Sequence, residues 1–297
     1  MFGFINSQFK GTSDSVLYTS SGQHVWLKPA NCKFIYVTLV GAGGAGGQGA
    51  VASGGGQGGP GGGSGAITNF MLPGVFTPNQ LFFNIGAGGT GSGGATFVSL
   101  TSSRTAPATA FNAVNVIAYA NGGTAGGAGG TAFTVGTNAA RLLQTGLFNT
   151  QAGQAGQSPS STGVTPPDFT NFSTTTSYIL GGRAGGGGDT GIPNKGAGYD
   201  TSAVPTLELP TISGGNFGTS GQTGNSAFFV SFSKNKPFIV YGGTGGGSAT
   251  SSSAPSGGGG RGVLGSGGGG GGRAVSGIGN NTVGGQGGDG FAHVVWW

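Results

Sequence analysis

A regular strand, Lys33-Phe-Ile-Tyr-Val-Thr-Leu-Val40, runs without a break into Gly41-Ala-Gly-Gly-Ala-Gly-Gly-Gln-Gly-Ala50. This junction constrains the fold more than any other feature, because it recurs: glycine tracts follow or precede strand-like segments along most of the chain. Glycine loses more backbone freedom on folding than any other residue. A chain that uses 74 of them in 297 residues either leaves them unordered or adopts a structure in which nothing larger fits. Composition argues against wholesale disorder. With the glycines set aside, about half of the remaining chain is apolar, an ordinary globular fraction. Aromatic residues make up 10% and charged residues only 6%, the reverse of the balance in disordered chains.

The tracts have internal order. Ala42, Ala45 and Gln48 recur every third residue, as do Ala125, Ala128 and Thr131 (with Thr124 the exception), Gln57 and Pro60, Ala87 and Thr90, and Gln286 and Asp289. A period of three is neither helical nor strand-like. It is the period of the polyproline II helix, which rises about 3.1 Å per residue and has no internal hydrogen bonds. With glycine on the contact faces, such helices can approach closely enough to bond backbone to backbone, with Cα–H···O contacts in addition. Pro60 is compatible with this geometry because the required φ is already its own. A flexible linker is the competing reading. Linkers join domains, however, and here the tracts alternate with segments too short to be domains.

Strand signals fall at Ser15–Ser20, His24–Lys28, Lys33–Val40, Ala66–Met71, Gln80–Ile85, Ala95–Leu100, Val114–Tyr119, Ser226–Phe232, Phe238–Tyr241 and Phe291–Trp297. Lys33–Val40 is apolar on both faces, which predicts a strand covered on both sides. Only Asn138–Phe148 could form a turn or two of helix, with Asn138 as N-cap. The expected fold is therefore all-β: sandwich-like strands combined with packed polyglycine II helices and almost no α-helix. The expected organisation is an attachment segment over residues 1–16 and a single domain over residues 17–297. That domain carries polar, proline-containing inserts at 131–178 and 189–238, and loops of such length in a compact domain are usually functional or disordered.

Most chemical motifs fail on inspection. Gly41-Ala-Gly-Gly-Ala-Gly46 matches G-x-G-x-x-G after a strand, yet no helix follows to hold a pyrophosphate and no acidic residue follows to hold a ribose. The basic residues are scattered, so the formal charge of +5 reflects few acids and not a phosphate-reading stripe, and no nucleic-acid partner is expected. Arg-Gly occurs singly at Arg261. The five aspartates and Glu208 have no metal-ligand spacing, and no metal or cofactor is expected. His24 and His293 lie within strand patterns, as sheet-surface or interface residues. Asp289 precedes a glycine at a tract-to-strand turn, a structural position. Cys32 is the only cysteine and excludes an internal disulfide; it reads as a small hydrophobe. The first twenty residues have neither a basic start nor a continuous apolar run, so no secretory signal is expected. No apolar stretch is long enough to span a bilayer, and no membrane insertion is expected. An enzyme is not expected. The aromatics of the inserts, Phe169, Phe172, Tyr178 and Tyr199, remain. They either pin the inserts to the core or contact a surface ligand, since rings among small polar residues make adaptable contacts.

Four motifs in order carry a family resemblance: Tyr18-Thr-Ser-Ser-Gly-Gln-His-Val-Trp-Leu-Lys-Pro29 with Phe34-Ile-Tyr-Val-Thr-Leu-Val-Gly-Ala-Gly-Gly44, then Phe83-Asn-Ile-Gly-Ala-Gly-Gly89, Ala118-Tyr-Ala-Asn-Gly-Gly123, and Gly287-Gly-Asp-Gly-Phe-Ala-His-Val-Val-Trp296. The chain resembles the glycine-rich domains of bacteriophage tail-fibre adhesins and related viral surface proteins. The resemblance implies a surface or fibre-tip protein, made in the host cytoplasm and carried on the virion. Packed polyglycine II helices would present variable loops to a host cell-surface receptor. It also implies other virion proteins as partners, in fibre or capsid, and a homo-oligomer. A structural virion component without a receptor role is the alternative. The two long inserts depart from the compact pattern of that family.

Overall fold

The computed structural model describes residues 14–52, 56–102, 115–126, 148–159, 165–168, 170, 179–183, 185–186, 188–189, 192–200, 211–218, 224–226, 230–233, 236–249, 255–275 and 283–297. Its strands are β1 (Asp14–Tyr18), β2 (Gly22–Leu27), β3 (Phe34–Val40), β4 (Val51–Ala52), β5 (Ile67–Pro73), β6 (Gln80–Ile85), β7 (Thr96–Ser99), β8 (Val116–Ala120), β9 (Phe148–Gln151), β10 (Gly188–Asp189), β11 (Ile192–Pro193), β12 (Val230–Ser233), β13 (Lys236–Val240), β14 (Ala274–Val275) and β15 (Phe291–Trp296). Helix among the described residues is limited to a 3-10 turn at Gly74–Phe76. The fold is all-β. Of the helix expected at Asn138–Phe148, residues 138–147 lie outside the described residues, and Phe148 opens β9.

Two antiparallel sheets form a sandwich: a five-stranded one ordered β1-β15-β3-β5-β9 and a four-stranded one ordered β2-β6-β7-β8. The register puts Val16, Val294, Val37 and Phe70 in one row across the first sheet. Alternation then sends Ile35, Val37, Leu39, Phe70, Leu72, Ala292 and Val294 inward, against Trp26, Leu81, Phe83, Ile85, Val98 and Ala118 of the second sheet. Packing of the two apolar faces is the main source of stability here. The outer face of β3 corrects the expectation of a strand covered on both sides. Thr38 and Val40 are buried, but Phe34 and Tyr36 are each 36% exposed, because the cover stops partway along the strand. That cover is a second cluster in which Val40, Ile67 and Phe291 meet Ile179 and Val240, with Val263 and Leu264 alongside.

Glycine tracts leave or enter the sandwich at one end only, at Val40, Ile67, Ile85, Thr96, Ala120 and Phe291. There they form a block joined by backbone bonds whose partners step by three. The N–H groups of Gly41, Gly44, Gly47 and Ala50 donate to the carbonyls of Ala66, Gly63, Pro60 and Gln57; those of Ala42 and Ala45 donate to Gly94 and Gly91; those of Gly43 and Gly46 donate to Gly288 and Gly285. One strand-like segment thus bonds in three directions in turn, which a pleated strand cannot do. Segment 265–274 is the centre of the block. It donates to segments 180–186, 44–50 and 257–260, and accepts from segments 59–65, 243–249 and 285–288. With six neighbours touching the segment's backbone, Gly267–Gly270 and Gly272 have no room for side chains. An ideal Cβ at Gly269 would overlap the carbonyl of Thr244, and one at Gly270 that of Gly59. Pro60, which has no N–H to donate, serves as an acceptor only.

The inserts are part of this architecture. β9 from the first insert completes the five-stranded sheet. Segment 194–199 from the second bonds to Gly215 and Gly245 inside the block. The first strand also crosses the boundary set at residue 17: Asp14–Val16 pair with the last strand.

Candidate functional site: insert anchors and an apolar tip

Of the four insert aromatics, Tyr199 is described. It lies in a tract position with its neighbours too close for a free ring, and it is wholly buried. Its hydroxyl donates to Gly181 O (2.6 Å) and accepts from Gly242 N (2.9 Å). The ring stacks on Tyr241 with centroids 4.8 Å apart, and the Arg183 guanidinium carbon lies 5.0 Å from its centroid. Burial pushes the Tyr199 phenol above its ordinary pKa, against the pull of Arg183. Burial and neighbouring Tyr199 do the same for Tyr241. Tyr199 therefore pins its insert to the block and does not face a surface ligand. Phe169, Phe172 and Tyr178 lie outside the described residues.

What precedes Phe169 is firmly held. Asp168 accepts from Gly198 N at 2.6 Å and pairs with Lys195 at 3.2 Å. Thr165 donates to Asn194 at 2.8 Å, and the Gln157 amide donates to Pro167 O at 2.7 Å. On the far side, Leu180 N donates to Val240 O. The stretch that carries Phe169, Phe172 and Tyr178 thus starts and ends on the block. Residues 201–210 likewise run between Tyr199 and Ile212, which bond to each other in both directions.

The opposite end of the sandwich is apolar and solvent-facing. Lys33 N and Phe34 N donate to Trp297 O, and the Phe34 and Trp297 rings stack at 5.9 Å. Lys28 ties the 3-10 turn to this end through its ammonium, bonded to Gly74 O and Thr77 O. Trp26 and Trp296 meet edge to face. Around these contacts Leu27, Val75 and Phe76 are 67%, 82% and 53% exposed. A cleft at this end is lined by Asp14, Pro29, Ala30, Asn31, Trp296 and Trp297. Exposed large apolar side chains gathered at one end of a sandwich make that end a candidate interaction surface. Sequence reasoning missed it. The apolar end strand was visible, but residues in turns carry no period that tells an exposed ring from a buried one.

The titratable groups are dispersed. His24 contacts Ser20 O at 2.8 Å and stacks on Tyr18 at 4.8 Å. His293, between Leu17 and Thr38 on the outer face of the first sheet, has its pKa lowered by burial. Cys32, at the apolar tip, has its thiol pushed up by burial, with Lys28 opposing. Asp289 accepts from Gly88 N at 2.7 Å and closes the tract-to-strand turn.

No curated protein matches this chain. The glycine block, both insert anchors and every strand of the sandwich except β1 fall within a match spanning residues 19–297, and the chain belongs to the glycine-rich domain family.

Proposed function

We propose that this protein is a viral surface or tail-fibre-tip protein, of phage type, that binds the host cell. In this reading the tracts are polyglycine II helices forming a rigid, nearly charge-free scaffold, and the inserts make the contact. The observation that carries it is the anchoring: the stretch holding Phe169, Phe172 and Tyr178 follows Asp168, whose carboxylate accepts from Gly198 N, and precedes Leu180, whose N–H donates to Val240 O, while residues 201–210 run between Tyr199 and Ile212, which bond to each other in both directions. Loops carried on a rigid frame lose less entropy on binding than loops on a mobile one. The step-of-three bonding supports the polyglycine II assignment. A second reading, a structural virion component held to other virion proteins, is favoured by the apolar tip.

The test is attachment of fluorescently labelled protein to intact bacterial cells. The triple variant Phe169→Ser, Phe172→Ser, Tyr178→Ser, and a variant with residues 201–210 shortened, should lose attachment while unfolding at the wild-type temperature. Unchanged attachment by both overturns the insert-borne reading.

A further inference from the structure

We propose that the apolar tip is the docking surface for the chain's own N-terminal segment, residues 1–13, independently of whether the inserts bind a cell. The segment joins the sandwich at Asp14, which itself lines the tip cleft with Trp296 and Trp297. It reads Met-Phe-Gly-Phe-Ile-Asn-Ser-Gln-Phe-Lys-Gly-Thr-Ser, with Phe2, Phe4, Ile5 and Phe9 as apolar side chains and Lys10 as its single charge. Such a segment offers what the tip lacks, since Leu27, Phe34, Val75, Phe76 and Trp297 are all at least a third exposed. Reach is sufficient. Fully extended, thirteen residues span roughly 43 Å, and the stretch from Phe9 to Asp14 alone spans about 16 Å. Because attachment is through the adjoining strand, docking is intramolecular and needs only weak contacts to be well populated.

Cys32 provides a native probe at this end of the sandwich, where its N–H donates to Pro29 O. Alkylation of Cys32 by iodoacetamide should be about tenfold faster in the variant Phe2→Ser, Phe4→Ser, Phe9→Ser than in the wild-type chain, corresponding to about 1.4 kcal/mol of docking free energy. Acrylamide quenching of tryptophan fluorescence should rise in parallel. These substitutions precede β1, and unchanged far-ultraviolet circular dichroism and unfolding temperature establish that the sandwich is intact. Equal alkylation rates and equal quenching in the two proteins overturn the proposal. Protection that grows with protein concentration also overturns it, since the occupant is then the segment of a second copy.

Discussion

The sandwich and the glycine block are held together by opposite means. Both satisfy their backbone groups internally, as buried backbone must. In the sandwich each strand bonds to neighbours in one plane, and side chains such as Phe70, Leu39 and Phe83 fill the space between planes. In the block, segment 265–274 bonds to neighbours all round, and the space a side chain would take is occupied by a neighbour's carbonyl. Stability in the first comes from apolar area removed from water. In the second it rests on close backbone approach, which only the absence of side chains permits. The two halves should therefore be sensitive to opposite chemical changes: adding one methyl to the block should cost more than removing most of a ring from the core.

The largest expected effect is Gly269→Ala. The added Cβ would overlap the Thr244 carbonyl, which is itself bonded to Gly260 N at 2.8 Å and cannot move alone. A loss above about 4 kcal/mol, or failure to fold, is expected, the range reserved for overpacking without relief. Thermal unfolding followed by circular dichroism measures it. A loss under about 1 kcal/mol would mean that the block yields and is not close-packed.

Next comes Phe70→Ala, which removes a fully buried ring between the sheets. About 3–5 kcal/mol is expected from lost transfer energy plus the cavity. If this variant proves less stable than Gly269→Ala by a clear margin, the contrast between the halves fails.

Tyr199→Phe probes a place where the block accepts large rings, with Tyr199 stacked on Tyr241. It removes the 2.9 Å acceptor of Gly242 N–H and leaves Gly181 O with the Arg183 guanidinium at 3.2 Å as donor, a cost of about 1–3 kcal/mol near neutral pH. The phenol also adds a pH dependence. Its folded pKa is raised above the ordinary value of 10.0, so between the two values the folded state binds more protons than the unfolded. Its contribution is full below about pH 10 and is lost as pH rises through the folded pKa. Wild-type denaturation midpoints should fall more steeply above pH 10 than those of Tyr199→Phe. Parallel curves would place the titration elsewhere, with Tyr241 the other raised phenol nearby.

The sandwich was legible because its strands are marked by β-branched and aromatic runs: Gln80–Ile85 begins and ends where the sequence put it, and Phe34–Val40 differs by one residue. The period of three in Ala42, Ala45 and Gln48 foretold bond partners that step by three, since a repeating backbone conformation repeats its neighbours as well. β9 was missed because Phe148-Asn-Thr-Gln carries a single apolar residue and pairs only at the sheet's edge. The burial of Tyr199 was also hidden. Its glycine neighbours resemble a loop in sequence, and only the tertiary arrangement shows that they belong to the block. The reach of both inserts into the core was obscured for the same reason: polar composition reports solvent contact averaged over a stretch, not where the stretch is tied down.

The smallest expected effect is the sharpest control on the comparison. Gly91 lies in the tract that bonds to Ala45, and its carbonyl accepts from Ala45 N at 2.9 Å, yet an ideal Cβ there meets nothing within 4 Å. Its φ also lies outside the left-handed region, because the described glycines with positive φ are Gly22, Gly89, Gly126 and Gly265. If glycine were needed in the tracts for backbone flexibility or dihedral freedom, Gly91→Ala would destabilise like any other tract substitution. If it is needed only where a neighbouring backbone occupies the Cβ position, Gly91→Ala should change stability by no more than about 0.5 kcal/mol. It could even raise stability slightly, by restricting the unfolded chain. Measured beside Gly269→Ala in the same denaturant titration, the pair separates crowding from conformation as the reason this chain uses so much glycine.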